Sequence, residues 1–200
     1  MYLIGGFTAG KSILWHAGAS SVSIAGIQLS KVEGASAIYV TTSSKEKIDF
    51  CVNEIGATAG FNYRTQDWAS EVLAATNGKG VDLIIDFVGA SHFEGNLRAA
   101  ARDGRIVMLG LLSGTKIKEI DVAPILFKRL RVEGSTLRSR DEEYQGRLRD
   151  QLVEHALPKF IDGTFKIVID KVFDWKDITT AHKILEESNT QGKLICTIDW

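Results

Sequence analysis

The stretch from Ile13 through Trp15, His16, Ala17 and Gly18 to Gly26 joins a short apolar run to a turn of small residues, then to a pattern with helical spacing. That order of events reads as a strand, a tight turn and a helix. Small side chains at such a turn let the main chain approach a phosphate. The start of the helix adds unpaired N–H groups and the positive end of its dipole. The unit therefore implies a dinucleotide site, provided that strands and helices keep alternating after it.

They do alternate. A helix is expected over 22–31, with Ile24, Ile27 and Leu29 on its buried stripe and Gly34 as its stop. A β-branched and aromatic strand over 37–41 is followed by Thr42, Ser43 and Ser44, which can cap a helix running to 55, where Gly56 ends it. A short strand over 60–62 and a helix over 68–76 lead to the turn of Asn77, Gly78, Lys79 and Gly80. The fourth strand, 81–87, is nearly continuous in its apolar residues, as a parallel strand covered on both faces should be. A helix over 93–101, a strand over 105–110 and a sixth strand over 130–134 complete the series.

The expected fold is α/β, a doubly wound six-stranded parallel Rossmann sheet whose ligand crevice lies beyond the carboxyl ends of the strands. Gly18, Thr41, Phe87 and Gly110 fall at those ends. Beyond the sheet come a helix over 142–157 interrupted near Pro158, a strand over 165–169, a helix over 180–187 and a final strand over 194–198. The expected division is a nucleotide-binding domain over 1–160 and a distinct C-terminal segment over 161–200.

Bulk properties narrow the function. A formal net charge of -1 on 200 residues gives no general attraction to nucleic acid or anionic lipid. Lys128, Arg129, Arg131, Arg138, Arg140, Arg147 and Arg149 alternate with Asp141, Glu142, Glu143 and Asp150, which favours a solvated face or subunit contact over a nucleic-acid surface. No apolar run is long enough to span a bilayer, and the first residues lack the pattern of a secretory signal, so the expected location is the cytoplasm. Cys51 and Cys196 are far apart and lack metal-ligand spacing, so neither a metal site nor a disulfide is expected.

Gly5 to Ser12 satisfies the phosphate-loop expression GxxxxGK[ST]. Such a loop must open directly into a helix, whereas Lys11 and Ser12 precede the apolar run at Ile13, so an NTPase is disfavoured. His16 reads as hydrogen-bonded scaffold rather than a general base, and His92, His155 and His182 share no spacing. Asp86, at a strand terminus, could orient part of a site or satisfy nearby N–H donors. The second strand ends without a carboxylate, in Thr41, Thr42, Ser43 and Ser44 followed by Lys45, Glu46 and Lys47. Hydroxyls, helix N–H groups and lysines suit a 2′-phosphate and hence NADPH; the alternative is a capped helix with solvated lysines.

Several short matches resemble one family. They are His16-Ala17-Gly18, Gly56-Ala57, Phe61-Asn62-Tyr63, Asp86-Phe87-Val88-Gly89, Gly104-Arg105, Leu137-Arg138-Ser139-Arg140-Asp141, Ala181-His182 and Gly192-Lys193. Together they resemble the zinc-free quinone oxidoreductases of the medium-chain dehydrogenase/reductase superfamily. The resemblance implies hydride transfer from NADPH to a quinone or activated enone, without metal, in a homodimer joined through the sixth strand. It implies phosphates at Ser20, Ser21 and Val22, the 2′-phosphate near Ser44 and Lys47, adenine by Tyr63, and nicotinamide by Val88, Gly89 and Gly110. It also brings Lys193, and the loop of Arg138 and Arg140, near the cofactor. No catalytic acid or base is named.

Two departures stand out. Ser21 and Ser23 replace residues that are usually glycine, and their Cβ atoms limit main-chain approach to phosphate, while Gly26 can restore close helix packing. The family also begins with a GroES-like domain that this sequence lacks, so a truncated form is expected, with tail strands deprived of their usual partners. The competing function is a non-catalytic NADPH-binding or dimerisation module.

Overall fold

A computed structural model describes residues 1–188 and 190–198. Six parallel strands form one sheet: β1 (Ser12–Trp15), β2 (Ala37–Thr42), β3 (Ala59–Asn62), β4 (Val81–Asp86), β5 (Ala100–Met108) and β6 (Arg131–Gly134). Their order is β3-β2-β1-β4-β5-β6, the doubly wound topology expected, and its direction reverses between β1 and β4.

Alternation along each strand builds two cores. Ile13 and Trp15 of β1 and Leu83 and Ile85 of β4 face one layer, where α1 (Ser21–Val32) and α2 (Lys45–Phe50) bring Ile24, Ile27 and Phe50. Leu14 and Ile84 face the other, where α3 (Trp68–Ala75) and α4 (Ala90–Ala99) bring Trp68, Val72 and Leu97. Gly26 lets α1 press on β1, since a Cβ there would lie 2.4 Å from the Trp15 ring. The Trp15 indole donates to Ser30 Oγ at 3.1 Å, so the packed ring is also hydrogen-bonded.

Several boundaries differ from expectation. α2 continues into a π-helical turn (Cys51–Ile55). α4 starts three residues before the expected 93, because Gly89 at φ 86° turns the chain into it. β5 starts at Ala100, inside the expected helix end; a register shift separates the Val81–Ala100 pair from Leu83–Arg105, and Asp103 takes φ 62°. A short helix, α5 (Ala123–Phe127), precedes β6 and was not anticipated. The long helix divides into α6 (Glu142–His155) and α7 (Leu157–Ile161), with Pro158 in the first turn of α7.

The seventh strand is displaced. β7 is Ile169–Asp174 rather than 165–169; Phe165 instead packs edge-on to Phe160, ring centres 5.4 Å apart. After a 3₁₀ turn (Trp175–Asp177) and α8 (Ile178–Glu186), β8 (Lys193–Thr197) pairs parallel to β7. The tail strands expected to lack partners thus pair with each other. The tail returns to α1, where Gln28 Oε1 accepts from Lys166 N at 2.7 Å. Among the described residues no helix is long and apolar enough to cross a membrane.

Candidate cofactor site at the carboxyl ends of the strands

The turn after β1 is drawn tight. Gly18 N donates to Thr41 O at 2.9 Å, and a Cβ on Gly18 would sit 2.8 Å from Val40 Cβ, so a side chain there would separate β1 from β2. Ser20 caps α1, its Oγ accepting from Ser23 N at 3.3 Å. Ser21 and Val22 then hold first-turn N–H groups that no helical carbonyl can take. The two serines at usual glycine positions differ in their roles. Ser21 is half-buried at the turn, whereas Ser23 is fully buried and its hydroxyl donates to His16 O at 2.7 Å, away from any incoming phosphate.

A polar chain lies under this turn. Asp86, a carboxylate, can only accept, so the amide nitrogen of Asn96 faces it at 2.9 Å and Asn96 Oδ1 faces His16 Nε2 at 2.7 Å. The His16 proton therefore sits on Nε2, and Nδ1 accepts from the Thr41 hydroxyl at 2.7 Å. Burial pushes the His16 imidazole down to about 4, which keeps it neutral. Burial also raises the Asp86 carboxyl, opposed by the N–H groups of Gly89 and Val88 that its Oδ1 accepts at 3.1 and 2.6 Å. His16 is scaffold, and Asp86 both satisfies donors and shapes the rim.

At the end of β2, Ser44 caps α2 by accepting from Lys47 N at 3.3 Å. Lys47 Nζ donates to Ser188 O at 2.6 Å. Its pKa is lowered, first by burial and then by the nearby Arg64 charge. Lys45 pairs with Asp49, while the Lys47 ammonium feels the Arg64 charge and, in the opposite sense, the Asp170 carboxylate. Arg64 was not anticipated; its place directly after Tyr63 was the available signal. The Tyr63 ring stands edge-on to His92 at 5.4 Å, and His92 stacks on Trp68. Burial, then repulsion from the charge that a protonated His16 would carry, push His92 down to about 4.

The opposite wall is the bend of Phe87, Val88 and Gly89. Leu112 N donates to Phe87 O at 3.0 Å, and both Ser113 N and its hydroxyl donate to Val88 O at 2.8 Å. Gly110 fits tightly against this bend, since a Cβ there would lie 3.1 Å from Phe87 O. Gly192 N donates to Ala19 O at 3.0 Å, which brings the neighbouring Lys193 beside the turn after β1.

The structure thus groups Ser20, Ser21 and Val22 with the Lys193 segment, Ser44 with Lys47, and Val88 and Gly89 with Gly110. Tyr63 covers His92. Arg138 is exposed, and Arg140 lies over the Tyr144 ring at 4.4 Å. The phosphate-loop expression fails its context: Ser12 opens a strand, Lys11 Nζ pairs with Asp82 at 3.0 Å, and both lie at the sheet's amino end. A cavity of about 630 Å³ also lies at that end, but Asp82 is bound by Lys11 and Ser12, and Lys128 Nζ by three carbonyls closing α4. No group of three or more metal-ligating side chains occurs among the described residues, and burial pushes the Cys51 thiol up to about 12.

Comparison with known proteins places this architecture. In solved structures the chain is similar to an NAD-dependent alcohol dehydrogenase (TM-score 0.82, 31% identity, 98% of this chain and 53% of that one). It is also similar to Escherichia coli quinone oxidoreductase complexed with NADPH (TM-score 0.78, 27% identity, 94% and 58%). Among curated sequences it matches the highly reducing polyketide synthase fogA of Aspergillus ruber at 25% identity over 96% of this chain and 8% of that protein. Dehydrogenase FUB6 of Fusarium oxysporum matches at 32% identity over 62% of this chain and 36% of that protein. The chain spans just over half the length of these solved relatives and much less of the curated ones. The family model described as zinc-binding dehydrogenase matches residues 21–154, so the chain belongs to that family, within the medium-chain dehydrogenase/reductase superfamily.

Proposed function

We propose that the chain carries the cofactor half of a reductase that moves hydride from NADPH to a quinone or an activated enone, without metal. The observation that carries this reading is the corner at the end of β2, where Ser44 caps α2, Lys47 lies within electrostatic reach of both Arg64 and Asp170, and the strand itself ends without a carboxylate. An acid there would accept from a ribose hydroxyl and repel a 2′-phosphate; two cations and a helix start do the reverse.

The remaining residues fit the same ligand. Ser21 and Val22 N–H groups, with the Ser20 cap, face the pyrophosphate; Tyr63 borders adenine; Val88, Gly89 and Gly110 form the wall for nicotinamide; Lys193 closes over the phosphates. Bound NADPH supplies the hydride. The protein's task is to hold that cofactor against an electron-poor acceptor, so no acid or base is assigned. The acceptor's other wall would come from protein beyond this stretch, as the partial coverage of relatives suggests. The β6 edge, with exposed Leu126 and Phe127 on the preceding helix, supports a homodimer joined through that strand.

Calorimetric titration tests the reading. Wild type should bind NADPH more tightly than NADH, and Lys47→Ala should weaken NADPH about tenfold while leaving NADH alone. No heat with either cofactor would overturn it. Binding of NADPH without turnover of 1,2-naphthoquinone, even when the protein that supplies the acceptor's other wall is present, would favour the second reading, a non-catalytic NADPH-binding or dimerisation module, which the partial coverage also supports.

A further inference from the structure

We infer that Asn96 is a positioning residue, which acts through Asp86 and His16 to hold the Val88–Gly89 bend at the mouth of the crevice. The role of that bend as the nicotinamide wall rests on the function proposed above; the mechanical link does not.

Position 96 makes two opposite demands. Toward Asp86 it must donate, at 2.9 Å, and toward the Nε2–H of His16 it must accept, at 2.7 Å. A primary amide does both in one plane, a carboxylate only accepts, and an aliphatic side chain does neither. Asn96, His16 and Asp86 are fully buried, so water cannot stand in for a missing partner.

The bend needs such a hold. Gly89 adopts φ 86° and ψ −126°, open to glycine alone, and Asp86 Oδ1 keeps it there by accepting from both Val88 N and Gly89 N. The carbonyls of Phe87 and Val88 are taken by Leu112 and Ser113. With these groups paired internally, the wall offers a ligand its shape. A wall of that kind is only as good as its support, and α4 supplies that support through one amide.

Asn96→Asp keeps the shape, removes the donor and sets a second carboxylate against Asp86. Amide hydrogen exchange should then quicken about tenfold at Val88 and Gly89, beyond any change at Ile84 and Ile106 in the same sheet. A uniform rise across all four would overturn the inference, as would no change. NADPH should bind about tenfold more weakly to this variant, while adenosine 2′,5′-bisphosphate, which lacks the nicotinamide half, should bind within about twofold of wild type. Equal losses for both ligands would count against a local role. If wild type binds neither ligand, the proposed function fails while the exchange pattern still decides the positioning role. Should Asn96→Asp not fold, Asn96→Ser is measured in the same way. Nitrogen-detected imidazole spectra of wild type should show neutral His16 with its proton on Nε2; a proton on Nδ1 would overturn the chain of donors.

Discussion

The six-stranded sheet and the two-stranded tail both carry large apolar residues, yet they bury them to very different extents, and half of β7 is charged. All four residues of β1 are buried, and β4 is buried except for Asp82. In β7 only Phe173 is buried, and β8 has no fully buried residue. β1 and β4 each have neighbours on both sides and helices on both faces, whereas among the described residues β7 and β8 have only each other as strand partners. Hydrophobicity alone therefore does not make a core; the number of covering layers does.

The contrast can be broken or sharpened experimentally. Ile84→Ala, in a strand with neighbours on both sides, should cost about 2–5 kcal/mol in urea unfolding, the range for large-to-small changes in a closed core. A loss below about 1 kcal/mol would mean that the sheet is less tightly packed than described. Gly26→Ala should cost about 1–3 kcal/mol, because the added methyl meets the Trp15 ring and must move either α1 or β1.

Acid should act on the sheet unit. His16 and His92 are held neutral with values pushed down to about 4, against an unfolded value near 6.5. Between those values the unfolded chain binds more protons, so stability is fully present above about pH 6.5 and falls as pH drops toward 4. The slope should approach about 1 kcal/mol per pH unit for each imidazole, with Asp86, whose carboxyl is raised, working weakly the other way. Urea midpoints at a series of pH values check this, and a flat profile over that window would refute the neutral assignment. The smallest effect belongs to the tail: Val172→Thr, at a half-exposed position of β7, should change stability by no more than about 0.5 kcal/mol. A larger loss would show that the small sheet carries more packing than its exposure implies.

The same contrast governs what could be read from sequence. Near-continuous apolar runs such as 81–87 announce a strand covered twice, and the six strands and their windings follow from such runs and the glycines that end them. In the tail, the run from Phe165 to Ile169 looks like a strand, but Phe165 is used as a plug against Phe160, and the true strand is the mixed segment Ile169–Asp174. α5 is five residues long, too short for periodicity to mark. The serine cap and the glycines of the candidate site were legible because their chemistry is local. The union of His16 with Asn96 was not, since 80 residues separate them and only the sheet brings them together. Arg64 escaped notice because its contribution depends on where Lys47 is folded to meet it.

The bond from Gly192 to Ala19 makes the turn after β1 a junction between the large sheet and the tail. β1 and α1 can assemble through contacts close in sequence, whereas this junction closes only when segments far apart in sequence meet. Any loosening of the small sheet would therefore be felt first at the rim of the crevice.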